Sequence, residues 1–318
     1  MKAVFLDYAS LDQNDLDTSA LSSAFTELQL FASTDASEVL ARVRDADVII
    51  SNKVIIDAAT MQHCAKLKLI LISATGTNNI DLEQARQQGV VVCNCQGYGT
   101  SSVAQHTLAL MLALATSLMQ YDQAVRQGNW NTATQFCLLD FPIVDLSGKT
   151  LGIIGYGELG KAVAKLAEAF GMQVLIAALP HRPSVDASRI ALADLLPQVD
   201  FLTLHCPLTE QTQDLIAEQE LALMKNSAFL INCARGGLVN EQALATALRQ
   251  GMIAGAATDV LTVEPPKNGN VLLSDDIPNL IITPHSAWGS RDSRQRMLHQ
   301  LLENVMAFQA GKPIRQVN

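Results

Sequence analysis

An α/β fold with two doubly wound parallel-sheet domains is predicted by three observations. The chain has 318 residues, whereas single hydrophobic cores stop growing at about 250 to 300. Short β-branched and aliphatic runs alternate with helix-like stretches in both halves, the pattern of βαβ units. At residues 150–160 the chain reads TLGIIGYGELG. This is an apolar strand that breaks into Gly155, Gly157 and Gly160 and continues as a helix with Leu159, Val163, Leu166 and Phe170 at helical spacing.

In the first hundred residues, strands are predicted at 2–7, 48–51, 69–73 and 90–93, with helical stretches at 38–44 and 82–88 between them. The opening MKAVFLDYAS carries one lysine and an apolar run that Asp7 closes, too short for a secretion signal, and reads as the first strand. Thr100, Ser101 and Ser102 offer N-caps to a long helix at 103–121. Its apolar run includes Gln105, His106, Thr107, Thr116 and Ser117 and falls just under membrane-spanning length. A buried helix at a domain or subunit interface is the expectation. A loop at about 127–145 follows.

The second half alternates more strongly, with strands predicted at 151–154, 174–177, 201–204, 229–232, 254–260 and 280–283, then a helical tail at 291–310. In doubly wound sheets ligands lie beyond the carboxyl ends of the strands. The glycine turn suits a dinucleotide there. Its first glycine permits the turn, the second admits a pyrophosphate, the third packs helix on strand, and the helix N-terminus offers N–H groups to the anion.

Composition narrows the function. Hydrophobic residues are 49% and charged residues 17% of the chain, which excludes disorder as a main theme. A net charge of -9 repels phosphate backbones and argues against a nucleic-acid partner. The cysteines at 64, 93, 95, 137, 206 and 233 have neither zinc-site nor disulfide-framework spacing, so a reduced cytoplasmic protein without a metal is expected.

Three predicted strand ends carry chemistry. Arg235, followed by two glycines, can present a planar fork to a carboxylate. Glu264 stands on a loop stiffened by Pro265 and Pro266. His285 follows the last strand. Taken singly, these are a salt-bridge residue, a solvated glutamate and a structural histidine. Together they place a cation, a carboxylate and an imidazole on the face where the dinucleotide belongs.

The set GYGELG, NCARGG, DVLTVEPP and TPHSAW, in that order and spacing, resembles the D-isomer-specific 2-hydroxyacid dehydrogenase family. SATGTNNIDL at Ser73 and TSSVAQHTLALML at Thr100 extend the likeness over nearly the whole chain. SVAQH, NGNVLLSDDIPNLIITPH and the tryptophan after the histidine are most similar to the family's glycerate dehydrogenase, or hydroxypyruvate reductase, branch. The resemblance implies a flavodoxin-like substrate domain of residues 1–99 plus 287–318. Inserted in it is an NAD(P)-binding Rossmann domain of residues 100–286, with a cleft and a homodimeric assembly. The implied partner is a small anionic 2-keto or 2-hydroxy acid, with hydroxypyruvate or glyoxylate reduced reversibly to the D-2-hydroxyacid. D-lactate or another 2-hydroxyacid as substrate, and a non-catalytic dinucleotide-sensing corepressor on the same fold, stay open.

Reducing a 2-keto acid needs a hydride at carbon 2 and a proton at the resulting alkoxide. His285 is the expected acid, and the base in reverse, with Glu264 favouring its imidazolium. Arg235 is expected to hold the carboxylate and polarise the ketone, and the family loop adds the Thr75 and Gly76 N–H groups. By resemblance, Gly155, Gly157, Glu158, Leu159 and Gly160 face the pyrophosphate. Cys206, Pro207 and Thr212 line the adenosine side, and Cys233, Ala234, Asp259 and His285 lie near the nicotinamide, where Asp259 meets the carboxamide. Glu158 stands where the family commonly has arginine and is expected to point to solvent. NAD sites usually carry an acid about 20 residues past the glycine turn. Here the chain runs Ile176, Ala177, Ala178, Leu179, Pro180, His181, Arg182, with no acid before Asp186. His181 and Arg182 are therefore expected to receive a 2′-phosphate, so that NADP is accepted or preferred; NAD held through backbone contacts is the alternative.

Overall fold

The computed structural model of the chain describes residues 1–179 and 188–318. His181 and Arg182 lie outside the described residues. The chain divides into two compact units, Met1–Gly99 with Trp288–Asn318, and Thr100–Ala287.

The first unit runs β1 (Lys2–Phe5), α1 (Ser19–Ser23), β2 (Glu27–Leu30), α2 (Val39–Val43), β3 (Val48–Ser51), α3 (Ala58–Gln62), β4 (Leu69–Ile72), α4 (Leu82–Gln87) and β5 (Val91–Cys93). The five strands pair in parallel, in the order β2-β1-β3-β4-β5. Because successive strand residues face opposite sides, the sheet makes two cores. Val4, Ile49, Ile70 and Val92 point into one, and Ala3, Phe5, Val48, Ile50, Leu69 and Leu71 into the other. Strand β2 was not expected from the sequence. It is a half-exposed edge whose Glu-Leu-Gln-Leu run lacks a continuous apolar signal.

The second unit opens with α5 (Thr100–Ala115) and α6 (Leu118–Arg126). One continuous helix was expected here, with Thr100 to Ser102 as caps. Instead those residues form the first turn of α5, and the axis bends by 60° between the two helices. The break centres on one residue. Ser117 adopts a left-handed conformation, φ 49°, and its hydroxyl donates to the Pro142 carbonyl at 2.7 Å. Among the described residues no single helix is long and apolar enough to cross a membrane.

Beyond the loop come β6 (Thr150–Ile154), α7 (Glu158–Ala169), β7 (Gln173–Ile176), α8 (Leu192–Leu195), β8 (Phe201–Leu204), α9 (Glu218–Leu223), β9 (Phe229–Asn232), α10 (Glu241–Arg249), β10 (Gly255–Thr258) and β11 (Leu280–Ile282). The parallel order β11-β10-β9-β8-β6-β7 reverses direction between β6 and β8, the switch point at which such sheets take ligands. Ile154, Leu202, Leu204, Leu230 and Ala256 pack one face against Leu195, Leu221, Leu244 and Leu248. On the other, Phe201 stacks on Phe229 at 5.1 Å, and α5 packs against α7, β9 and β10. Helix α11 (Arg291–Gln309) belongs to the first unit, where Met297, Leu298, Leu301 and Val305 cover the Phe5 face of the sheet.

Candidate active site

At the switch point Gly155 has φ 94°, and a β-carbon there would meet the backbone of His205 and Cys206 at 2.5 Å. One on Gly160 would overlap the Gly155 carbonyl oxygen. Both positions therefore require glycine, and the turn delivers as the cap of α7 Gly157, which has no side chain of its own to bond the opening N–H groups. An uncapped helix start in a glycine cradle fits a pyrophosphate. Leu159 is half-buried in the first turn of α7. Glu158 is exposed, yet its carboxylate accepts from the Thr100 hydroxyl at 2.6 Å, so it is tied to the start of α5 and not simply solvated.

After β8, Cys206 is buried and Thr212 donates its hydroxyl to the Pro207 carbonyl at 2.8 Å, closing a tight loop. After β9, Cys233 and Ala234 are buried. Burial pushes the Cys206 thiol up to about 11 and the Cys233 thiol up to about 12, so neither is a reactive thiolate at neutral pH.

Arg235 is exposed and extended, and its Nη1 donates to the Ala234 carbonyl at 2.7 Å. The turn beneath it is clamped by Asn232, whose side chain accepts from the Ala234 N–H at 3.0 Å and donates to the Arg235 carbonyl at 2.8 Å. A β-carbon on Gly236 would overlap the Leu261 carbonyl, so the arginine turn lies directly against the loop that carries Glu264. That loop is fixed in turn by Glu241, which accepts from the Thr262 N–H at 2.7 Å.

Glu264 and His285 come together. One Glu264 carboxylate oxygen accepts from the Leu261 N–H at 2.8 Å, and the other lies 2.6 Å from His285 Nδ1. With Nδ1 engaged, Nε2 is the nitrogen left for a substrate. His285 itself sits in the left-handed region, φ 53°, with its N–H on the Asp259 carbonyl at 2.8 Å.

Asp259 is 1% exposed, and its carboxylate serves the His285 turn. Oδ1 accepts from the Thr283 hydroxyl at 2.5 Å and the Ser286 N–H at 2.9 Å, and Oδ2 from the Ala287 N–H at 2.9 Å. Sequence reasoning missed Asn232 and Thr283 as parts of this framework. The only signal was that both are polar residues at the carboxyl ends of apolar strands.

In the first unit, Thr75 and Gly76 follow β4. The Thr75 carbonyl accepts from Asn94 Nδ2 at 2.8 Å, and the neighbouring Ser73 is 1% exposed.

Known proteins agree with this architecture. Residues 108–287 match the NAD-binding domain of D-isomer specific 2-hydroxyacid dehydrogenases. The chain is 46% identical to the glycerate dehydrogenase of Methylorubrum extorquens, over 98% of this chain and 97% of that one. It is 36% identical to a hydroxypyruvate reductase of Blautia hydrogenotrophica over the whole of both chains. Among solved structures, an acyclic imino acid reductase in complex with NADPH and D-Arg superposes with a TM-score of 0.86 at 28% identity, covering both chains completely. A glycine-cradled dinucleotide turn and a carboxylate–imidazole pair at neighbouring strand ends thus stand in a chain that belongs to the D-isomer-specific 2-hydroxyacid dehydrogenase family, oxidoreductases acting on CH–OH groups.

Proposed function

We propose that the protein reduces hydroxypyruvate and glyoxylate to the D-2-hydroxyacids and catalyses the reverse oxidation, as a glycerate dehydrogenase. The observation that carries this reading is the 2.6 Å pairing of Glu264 with His285 on loops beside the Arg235 turn. The similarity to glycerate dehydrogenase and hydroxypyruvate reductase supports the substrate class.

When bound, a reduced nicotinamide supplies a hydride to carbon 2 of the keto acid. Gly155, Gly157 and Gly160 with Glu158 and Leu159 would hold its pyrophosphate, Cys206, Pro207 and Thr212 its adenosine side, and Cys233, Ala234 and Asp259 its nicotinamide end. Arg235 binds the carboxylate through its fork and draws electron density from the ketone oxygen. His285 gives the proton on Nε2 to the alkoxide and takes it back in the oxidation. Glu264 stabilises the imidazolium through Nδ1 and keeps the ring oriented, as the buried carboxylate does in a hydrolase triad. Thr75 and Gly76 would offer their backbone N–H groups to an anion. Residues 1–99 with 287–318 would form the substrate domain and residues 100–286 the dinucleotide domain.

We further propose that NADPH is accepted at least as well as NADH. Strand β7 ends at Ile176, and Ala177, Ala178 and Leu179 after it bring no carboxylate to repel a 2′-phosphate; in the sequence His181 and Arg182 follow. We also infer a homodimer, because Leu118, Met119, Trp130, Phe136, Leu139 and Ile143 expose large apolar side chains on one stretch of the second unit.

The decisive assay follows reduced-nicotinamide absorbance with hydroxypyruvate, glyoxylate and pyruvate, each with NADH and with NADPH. Fast oxidation with hydroxypyruvate is expected. Silence with all three from a protein that binds dinucleotide would refute the proposed substrates, and a much lower KM for NADH than for NADPH would refute the cofactor preference. His285→Ala is expected to abolish most turnover and leave dinucleotide binding intact; near-normal rates would remove His285 from its role.

A further inference from the structure

Helix α5 reaches the His285 segment from below through two side chains one helical turn apart. Ser102 donates its hydroxyl to the Ala287 carbonyl at 2.6 Å, two residues after His285. His106 places Nε2 3.0 Å from the Thr283 hydroxyl, two residues before it. The Thr283 hydroxyl has one proton, and it goes to Asp259 Oδ1 at 2.5 Å. Its oxygen must then accept from His106, which fixes the Nε2–H tautomer of that ring. The result is a directed chain, from His106 Nε2–H through the Thr283 hydroxyl to the Asp259 carboxylate, whose two oxygens also hold the Ser286 and Ala287 N–H groups. His106 and Asp259 are themselves 3.6 Å apart, so the hydroxyl bridges a nearly direct contact.

The left-handed backbone of His285 gives the arrangement its purpose. A side chain with a β-carbon occupies that region only where its surroundings hold it there. The Asp259 carboxylate at the end of this chain holds the two N–H groups that follow His285 and the Thr283 hydroxyl two residues before it, while the Asp259 carbonyl accepts from the His285 N–H. A relaxed turn would swing the imidazole away from Glu264 and from the reacting oxygen.

We propose that His106, acting through Thr283 and Asp259, is a positioning residue for the general acid of the reaction. It acts on the reaction by setting the conformation of the turn that presents His285. This rests on the reading of His285 as the acid and base, and the experiment separates the two.

His106→Ala, Thr283→Val, Thr283→Ser and the double variant His106→Ala with Thr283→Val are compared with wild type and His285→Ala. The readouts are kcat, KM for hydroxypyruvate, and NADH and NADPH dissociation constants from fluorescence titration, with circular dichroism confirming the fold. His106→Ala and Thr283→Val are expected to lower kcat about 10- to 100-fold, the scale of a misplacement near 1 Å, with KM and the dissociation constants within about threefold. Thr283→Ser, which keeps the hydroxyl, restores most of kcat. The double variant loses little more than either single one, because both break the same chain. The inference is overturned if His285→Ala is inactive while His106→Ala and Thr283→Val keep wild-type kcat. Losses that multiply in the double variant, a Thr283→Ser as slow as Thr283→Val, or dinucleotide affinity falling in step with kcat also overturn it. If His106→Ala fails to fold, the near-isosteric Thr283→Val and its serine counterpart decide. Should His285→Ala itself retain turnover, the catalytic reading fails and this one with it.

Discussion

Glu264 makes two bonds that its amide analogue cannot both keep unchanged. The carboxylate accepts from the Leu261 N–H and meets His285 Nδ1, whereas glutamine has one accepting oxygen and one donating nitrogen. Glu264→Gln is therefore expected to lower kcat by about 10- to 100-fold through loss of the charge that stabilises the imidazolium, with dinucleotide affinity unchanged; steady-state kinetics and a fluorescence titration check it. His205, between β8 and the Cys206 loop, poses a different residue-scale problem. Its Nε2 meets the Thr203 hydroxyl at 3.0 Å, its Nδ1 has no hydrogen-bond partner among the described residues, and burial pushes its pKa from 6.5 down to about 4. The unfolded chain thus takes up a proton near pH 6.5 that the folded protein refuses until about pH 4. This contribution to stability is intact above pH 6.5 and declines as pH falls through that window. Urea unfolding between pH 7.5 and 4.5 is expected to show a shallower decline for His205→Asn than for wild type. Equal slopes would mean that the ring is not held neutral.

At the scale of elements, the glycine after Arg235 matters more than its size suggests. Gly236 lets the β9 turn lie against Leu261 and Thr262, so the arginine turn and the glutamate loop share one contact. Gly236→Ala forces backbone against backbone, with no flexible side chain to yield. A destabilisation of about 3 kcal/mol or more is expected, with activity falling further than stability because Arg235 and Glu264 move together. Chemical denaturation and kcat/KM measured side by side test this. The same elements show what the sequence could reveal. Buried strands such as β8 and β9 are nearly continuous apolar runs, interrupted only by Thr203 and Asn232, with the same bounds as read from the sequence, because both faces of a parallel strand are covered. Edge strand β2 escaped because half of it faces water, and the α5–α6 bend escaped because it depends on Ser117 reaching Pro142 across 25 residues. The site divides in the same way. That Arg235, Glu264 and His285 follow strand ends was legible from apolar runs and turn residues. That Asp259 grips the peptides around His285, or that His106 bonds to Thr283 across 177 residues, depends on three-dimensional proximity that no local pattern encodes.

At the scale of the whole molecule, the start of the second unit presents an apolar surface to water. The loop after α6 returns on that helix through the Tyr121 hydroxyl, which donates to the Phe141 carbonyl at 2.7 Å, and through a ring contact between Tyr121 and Phe141 at 5.2 Å. Folding the loop back in this way does not bury its apolar side chains. Phe136 is 90% and Leu139 76% exposed, and Leu118, Met119 and Trp130 are each more than half exposed. Leaving such side chains in water forgoes on the order of 2 kcal/mol apiece, and scattered exposure does not explain so many on one stretch. The occupant we propose is a second copy of the chain, since a two-fold interface lets one patch cover its own image. Sedimentation velocity is expected to give a dimer for wild type and a shift to monomer for Phe136→Asp combined with Leu139→Asp. Both residues are exposed, so the variant is expected to fold with its core intact. A wild-type monomer at micromolar concentration would refute the interface outright, and a dimer that survives both substitutions would move it elsewhere on the surface. Should the variant be monomeric and still turn over hydroxypyruvate, each chain carries a complete site; should it lose kcat while retaining its circular dichroism, pairing holds the α5 framework on which the His285 turn depends.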